Sequence, residues 1–164
     1  MTWLTRSRID NYQRMDVDEI VPGVYISGCG PAANEEILKR LQVTHVVNMA
    51  SLFRNKFPES FSYLKINIED TEDEPIQTHF STVFRFIDSS LTLEGRTLIH
   101  CNAGVSRAGT MVTAYVMKSK GLGLKDALKF VRSKRKNNPT IPNDGFMKEL
   151  KKYEKQLIAN GVIK

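Results

Sequence analysis

The sequence predicts an α/β domain with a central, largely parallel mixed sheet of about five strands flanked by helices, and three observations carry this. Short β-branched runs alternate with helix-period segments over the first hundred residues, three helical segments then follow without a strand between them, and no apolar run approaches the roughly 20 residues of a membrane span. Strands that alternate with crossover helices pair in parallel and are covered on both faces. Residues 1–16 are polar and mixed in charge, with Trp3, Leu4, Ile9 and Tyr12 loosely spaced, and read as an N-terminal extension or amphipathic helix. Val17 to Val21 and Val24 to Ser27 flank Pro22-Gly23, a turn-forming pair, and are expected to pair as an antiparallel hairpin. Ile37, Leu38 and Leu41 then recur at helical spacing behind Asn34, a good N-cap, with Glu35-Glu36 in the first turn where the dipole favours anions. His45 to Met49, Tyr63 to Ile68 and Thr97 to His100 are β-branched-rich runs bounded by polar loops and read as strands. Between the last two, Phe80, Val83, Phe84, Ile87 and Leu91 share one helical face, as a crossover helix requires. Met111, Val112, Tyr115 and Val116, then Leu124, Ala127, Leu128 and Val131, then Phe146, Leu150, Tyr153 and Leu157 mark the three final helices. The folded domain is set at residues 17–160, with 161–164 as a tail.

Composition narrows the function classes. A chain of 164 residues suits one domain, and 41% apolar with 26% charged residues excludes disordered, collagen-like and disulfide-scaffold classes. Two cysteines, Cys29 and Cys101, are too few to staple a fold, so a reducing, intracellular compartment is expected, the cytoplasm with nuclear access left open. Met1-Thr2-Trp3-Leu4 has no signal-like apolar core, and Thr2 stands where myristoylation needs glycine, so neither export nor a lipid anchor is expected. A net charge of +6 and a pI of about 9.4 favour anionic partners; nucleic acid, phosphoprotein and acidic headgroups are all compatible with it.

The segment from Thr97 to Gly109 carries the chemistry. A strand ends in His100-Cys101, five small or modest residues follow (Asn102, Ala103, Gly104, Val105, Ser106), and Arg107 opens a helix. Such a loop can aim successive backbone N–H groups at one anion, with Gly104 permitting the curvature and the helix N-terminus adding its positive end. Arg107 supplies a planar fork able to grip two phosphate oxygens. The same positive surroundings stabilise a thiolate, so Cys101 is expected to act as a nucleophile rather than as a small core residue. A thiolate cannot protonate a leaving oxygen, and the acidic run Glu69-Asp70-Thr71-Glu72-Asp73-Glu74, after a strand and before the crossover helix, falls at the same sheet end as the cysteine loop if the strands are parallel.

His100 to Arg107 reads H-C-x-x-G-x-x-R, and with it the chain resembles the cysteine-dependent protein phosphatases, in particular the small atypical dual-specificity phosphatases. The similarity runs from Ile20-Val21-Pro22-Gly23-Val24-Tyr25-Ile26-Ser27 through Thr44-His45-Val46-Val47-Asn48 to Pro142-Asn143-Asp144-Gly145-Phe146. The resemblance implies a protein tyrosine phosphatase-like fold and a reaction with no metal ion or other cofactor: Cys101 attacks phosphorus, a phosphocysteine forms, and water hydrolyses it. It implies that Arg107 binds phosphate and the transition state, that residues 102–106 form the cradle, that His100 and Asn143 are supporting residues, and that Asp70 is the general acid, with Asp73 in reserve. It further implies phosphoprotein substrates and a monomer, with no nucleic-acid or membrane partner. Tyrosine-specific relatives carry about a hundred further residues that deepen the cleft, for which this chain has no room, so both phosphotyrosine and phosphoserine or phosphothreonine are expected substrates. Relatives acting on inositol lipids carry lysines in the cradle, and Asn102 to Ser106 contains none.

One position departs from the family pattern. Ser or Thr usually follows the arginine and hydrogen-bonds the departing thiolate; here it is Ala108, with Thr110 the nearest hydroxyl beyond it. Slow hydrolysis of the phosphocysteine is therefore expected, and a weakly active or inactive phosphoprotein-binding pseudophosphatase is the alternative. Arg132, Lys134, Arg135 and Lys136 read as a solvated helix end rather than a nuclear signal or docking patch. Cys29, between glycines, reads as a turn residue rather than a redox partner of Cys101, and Pro142-Asn143 as a structural element near the cradle.

Overall fold

In the computed structural model, which describes residues 10–164, β1 (Val17–Val21) and β2 (Val24–Ser27) form the expected antiparallel hairpin, with a register irregularity between Glu19 and Val21. Trp3, Leu4 and Ile9 lie outside the described residues; residues 10–13 are helical, and the Tyr12 ring stands 5.9 Å from that of Phe53. With β3 (His45–Asn48), β4 (Ser62–Lys65) and β5 (Thr97–His100) the sheet has the order β1-β2-β5-β3-β4, parallel except for β1. β5, at the centre, is buried at every residue.

Alternate strand residues feed two cores, as the two-residue period of a strand requires. Val24, Ile26, Val47 and Ile99 face α3 (Phe80–Thr92), α4 (Arg107–Lys120), α5 (Leu124–Lys134) and α6 (Asp144–Ala159). Tyr25, Val46 and Leu98 face α1 (Cys29–Ala32), α2 (Glu35–Arg40) and the loop carrying Phe53 and Phe61. Asn34 caps α2 as predicted, its side chain accepting from the Ile37 N–H at 3.0 Å. α4 is buried continuously from Arg107 to Met117, because the other helices of its layer enclose it.

Two readings of the elements are corrected, and one element is added. β4 ends at Lys65 rather than Ile68: the Ile66 N–H still bonds Asn48 O (2.9 Å), but β3 itself ends at Asn48, which leaves residues 67 and 68 no strand to pair with on that side. Ile66 and Ile68 are nonetheless buried, which is the apolar signal that lengthened the predicted strand. Cys29 opens the four-residue helix α1 instead of a turn. A 3-10 helix over Ile76–His79 precedes α3, too short to leave a periodic pattern. Among the described residues no helix is long and apolar enough to cross a membrane.

The parallel register sets Ser27, His100, Asn48 and Lys65 side by side in one row. Every loop leaving the carboxyl edge of these strands therefore starts at the same height, and a cleft forms there for a geometric reason.

Candidate active site

Residues 102–106 form a cradle because their carbonyls are held from outside. Asn102 O accepts from the Cys29 N–H (2.9 Å), Ala103 O from Asn138 Nδ2 (2.7 Å), Gly104 O from Arg135 Nη1 (2.8 Å) and Val105 O from the Ile141 N–H (3.1 Å). In a trans peptide the C=O and the following N–H point in opposite directions. Four carbonyls turned outward thus turn the N–H groups of residues 103–106 inward. The Gly104 N–H donates to Cys101 Sγ at 3.2 Å, with Cys101 buried at the floor. Gly104 has φ +72, and a Cβ there would stand 2.6 Å from Gly28 N and Ser27 C, so both conformation and space demand glycine.

Arg107, the first residue of α4, is 6% exposed. Its Nη1 donates to Met49 O (3.2 Å) and Ile68 O (3.1 Å), which anchors the guanidinium between the loops after β3 and β4. Its Nε is buried with no hydrogen-bond partner among the described residues. A buried charged donor left unpaired is costly unless a ligand takes it. A cluster of inward amides, a guanidinium donor and a helix N-terminus converging on a buried sulfur can hold a tetrahedral oxyanion against a nucleophile.

His100 is buried with its Nδ1 3.4 Å from Cys101 O and its ring 5.1 Å from Phe53. A carbonyl only accepts, so Nδ1 carries the proton. Burial above all, aided by the charges of Lys65 and Arg107 and opposed by the bond to Cys101 O, lowers its pKa to about 3. His100 is therefore a neutral strut.

Asp70 lies exposed in the loop after β4, and its Oδ1 accepts from Asn143 Nδ2 at 2.9 Å. Asn143 faces three ways: its Oδ1 caps α6 by accepting from the Phe146 N–H (2.9 Å), its amide NH₂ is thereby left for Asp70, and its backbone N–H donates to Ser106 Oγ (3.0 Å). A Cβ on Gly145 would meet Glu72 O at 2.0 Å, so the start of α6 presses directly on the acidic loop. Asn143 to Gly145 thus join that loop to the cradle. Asp73 is fully exposed, and a hydrogen bond from Thr71, then one from its own backbone, holds its pKa below the usual value, which disfavours it as a proton donor.

Ala108 is buried in the core, and Thr110 does not stand in for a hydroxyl there: its Oγ1 donates to Ser106 O at 2.7 Å within the helix. The basic run is not simply a solvated helix end. Arg135 is buried, its Nε pairs with Asp18 Oδ2 at 3.0 Å, and its Nη1 bonds Gly104 O and Thr140 Oγ1 (3.3 Å). Arg132, Lys134 and Lys136 are exposed, with Arg132 Nε donating to Thr140 O (3.0 Å). Sequence reasoning missed Arg135 and Asn138 as holders of the cradle, because nothing local to residues 132–138 marks a contact with a loop 31 to 35 residues earlier. Asn138 in turn accepts from Arg14 Nη1 at 3.0 Å, which ties the N-terminal segment to the same loop. Among the described residues no group of three or more acidic, His or Cys side chains gathers as a metal site would require.

Residues 24–156 match the family model described as dual specificity phosphatase, catalytic domain. The chain is 34% identical over 145 residues to dual specificity protein phosphatase 1B of Arabidopsis thaliana, covering 88% of this chain and 86% of that protein. Among solved structures it is similar to the human tyrosine phosphatase-like serine/threonine/tyrosine-interacting protein, with a TM-score of 0.81 and 32% identity over 88% of this chain and 99% of that one. It is also similar to a mouse putative dual specificity phosphatase complexed with zinc tungstate, with a TM-score of 0.83 and 27% identity over 90% of this chain and 91% of that one.

Proposed function

This chain belongs to the dual specificity phosphatase catalytic-domain family, and from that premise we propose that it hydrolyses phosphotyrosine and phosphoserine or phosphothreonine in proteins through a phosphocysteine intermediate, without a metal ion. The observation that carries the reading is the pairing of four outward-held carbonyls with the buried Nε of Arg107, unpartnered among the described residues, around Cys101. The mouse relative is complexed with zinc tungstate, and tungstate is a tetrahedral oxyanion of the kind such a cradle would hold.

In the proposed reaction the phosphate oxygens accept from the N–H groups of residues 103–106 and from Arg107, whose donors stabilise the charge that spreads over them in the transition state. Cys101 Sγ attacks phosphorus as the bond to the leaving oxygen breaks, and Asp70, oriented by Asn143, gives that oxygen its proton. Water then attacks the phosphocysteine, Asp70 takes its proton, and phosphate leaves as Sγ regains its electron pair. With Ala108 after the arginine and the Thr110 proton committed to Ser106 O, no hydroxyl from these two positions assists that departure, so the second step limits turnover. The chain acts as a monomer on phosphoproteins inside the cell.

Hydrolysis of a chromogenic aryl phosphate in the presence of a chelator tests the reading. Vanadate-sensitive activity that disappears in Cys101→Ser is expected; activity that needs a divalent metal, or survives Cys101→Ser, overturns it. The human relative is named an interacting protein, and Ala108 favours the same alternative here, a phosphoprotein binder with little turnover. Stoichiometric capture of phosphopeptide with no phosphate release would favour that second reading.

A further inference from the structure

Beside the cradle, the loop from Ser51 to Asn55 is braced from below and bare above. Asn48, wholly buried at the end of β3, donates through Nδ2 to Phe53 O (2.8 Å) and Asn55 Oδ1 (3.0 Å), and its Oδ1 accepts from the Ala50 N–H (3.0 Å) and Lys65 Nζ (3.3 Å). Lys65 Nζ also donates to Ala50 O. Phe53 is buried against His100, and on either side of that anchor Leu52, 79% exposed, and Arg54 stand in solvent. A braced backbone removes the cost of ordering the loop itself on binding.

Leu52 and Phe53 line two neighbouring cavities. One, of about 230 Å³, reaches Asn102, the first residue of the cradle, by way of Tyr12 and Cys29. The other, of about 390 Å³, is also lined by Arg54, Asn55 and Lys65, and among the described residues no carboxylate lines it. Among the described residues neither Arg54 nor Lys65 is in an ion pair; the ion pairs are Lys39 with Glu35 and Arg135 with Asp18. Arg107, gripping Met49 O two residues before Ser51, lies close enough to repel the Lys65 charge, while Glu69 offsets part of this. Lys65 is half-buried and uses two of its three N–H bonds on Asn48 and Ala50, which leaves one, and Arg54 lines the same cavity.

We propose that the cavity walled by Arg54 and Lys65 is a subsite for a second oxyanion on the phosphorylated substrate, a carboxylate or a further phosphate a few residues from the phosphoresidue in the cradle, with Leu52 packing on the residues between. The subsite rests on the phosphatase reading, because it is the cradle that fixes the first phosphate.

Cys101→Ser is the vehicle for the test, since affinity is then read without turnover. Three labelled phosphotyrosine peptides are titrated that differ only in flanking residues: glutamine, glutamate, or phosphoserine two positions away on either side. The anionic peptides are expected to bind roughly threefold to tenfold more tightly than the glutamine peptide, and Arg54→Gln in the same background should reduce the preference to below about twofold. A preference for glutamate alone or phosphoserine alone supports the subsite and identifies the source of the anion. Equal affinities, no measurable binding, or a preference that survives Arg54→Gln overturns it. Aryl phosphatase activity of the unmodified chain, measured alongside, separates the two failures: no activity sinks the phosphatase reading, whereas activity without anion preference sinks the subsite alone.

Discussion

Replacing Arg135 with methionine is expected to damage both stability and turnover, and the two effects can be separated. The Arg135 side chain is 1% exposed and its Asp18 partner 6%, at 3.0 Å. Arg135→Met leaves a buried carboxylate without its cation and removes the one donor to Gly104 O among the described residues. Breaking a buried pair from one side costs about 3–5 kcal/mol, against a total of about 5–15 kcal/mol for a domain. The variant should therefore unfold at markedly lower urea concentration. Adding Asp18→Leu removes the orphaned charge, and apolar replacement of a buried pair is often close to neutral, so most of the lost stability is expected to return. Turnover is not expected to return with it. Gly104 O still lacks its outward donor, the peptide that aims the Val105 N–H inward is free to rotate, and kcat on an aryl phosphate should stay depressed about tenfold or more, on the scale of losing one transition-state donor. Urea titration and steady-state kinetics on the single and double variants decide it. A loss below about 1 kcal/mol for Arg135→Met, or full activity in the double variant, would refute the assignment of Arg135 as a positioning residue for the cradle.

Three further outcomes follow from the site. Ala108→Ser should accelerate phosphocysteine hydrolysis about 10- to 150-fold, the worth of one hydrogen bond to a charged group, and abolish the pre-steady-state burst; an unchanged second-step rate removes the idea. Asp70→Asn should lower kcat about 100-fold or more, while Asp73→Asn changes it little; exchanged outcomes would transfer the general-acid role to Asp73. Because His100 is held neutral with its pKa lowered to about 3, the unfolded chain binds a proton below its ordinary value of 6.5 that the folded chain refuses. Stability from this group is present above that value and falls as the pH drops toward the folded pKa, by about 2 kcal/mol between about pH 7.5 and about pH 5. Urea midpoints across that range should show the slope, and His100→Gln should remove that part of it.

The element order was legible in the sequence because it follows from local periodicity. The face of Phe80, Val83, Phe84 and Ile87 and the Asn34 cap need only neighbours in the chain to be recognised, and both are found in the structure. Strand ends were less legible: Ile66 and Ile68 carry the burial signal of a strand but lack partners for their backbone. Arg135 was misread for a related reason. Four basic residues within five positions look like a solvated helix end, and only the approach of Asp18, 117 residues away in sequence, reveals that one of them is buried.

What the sequence determined by itself was the chemistry on offer: a cysteine, a curving five-residue loop and an arginine at a strand-to-helix junction, with carboxylates one crossover earlier. Tertiary structure alone decided which groups serve it. Asn143 meets Asp70 across 73 residues, Asn138 and Arg135 hold loop carbonyls from 35 and 31 residues away, and the Thr110 hydroxyl turns back into its own helix. The reason is physical. A motif fixes residue types and spacing, but the direction in which a peptide's N–H points depends on what holds its neighbouring carbonyl, and that partner comes from elsewhere in the fold.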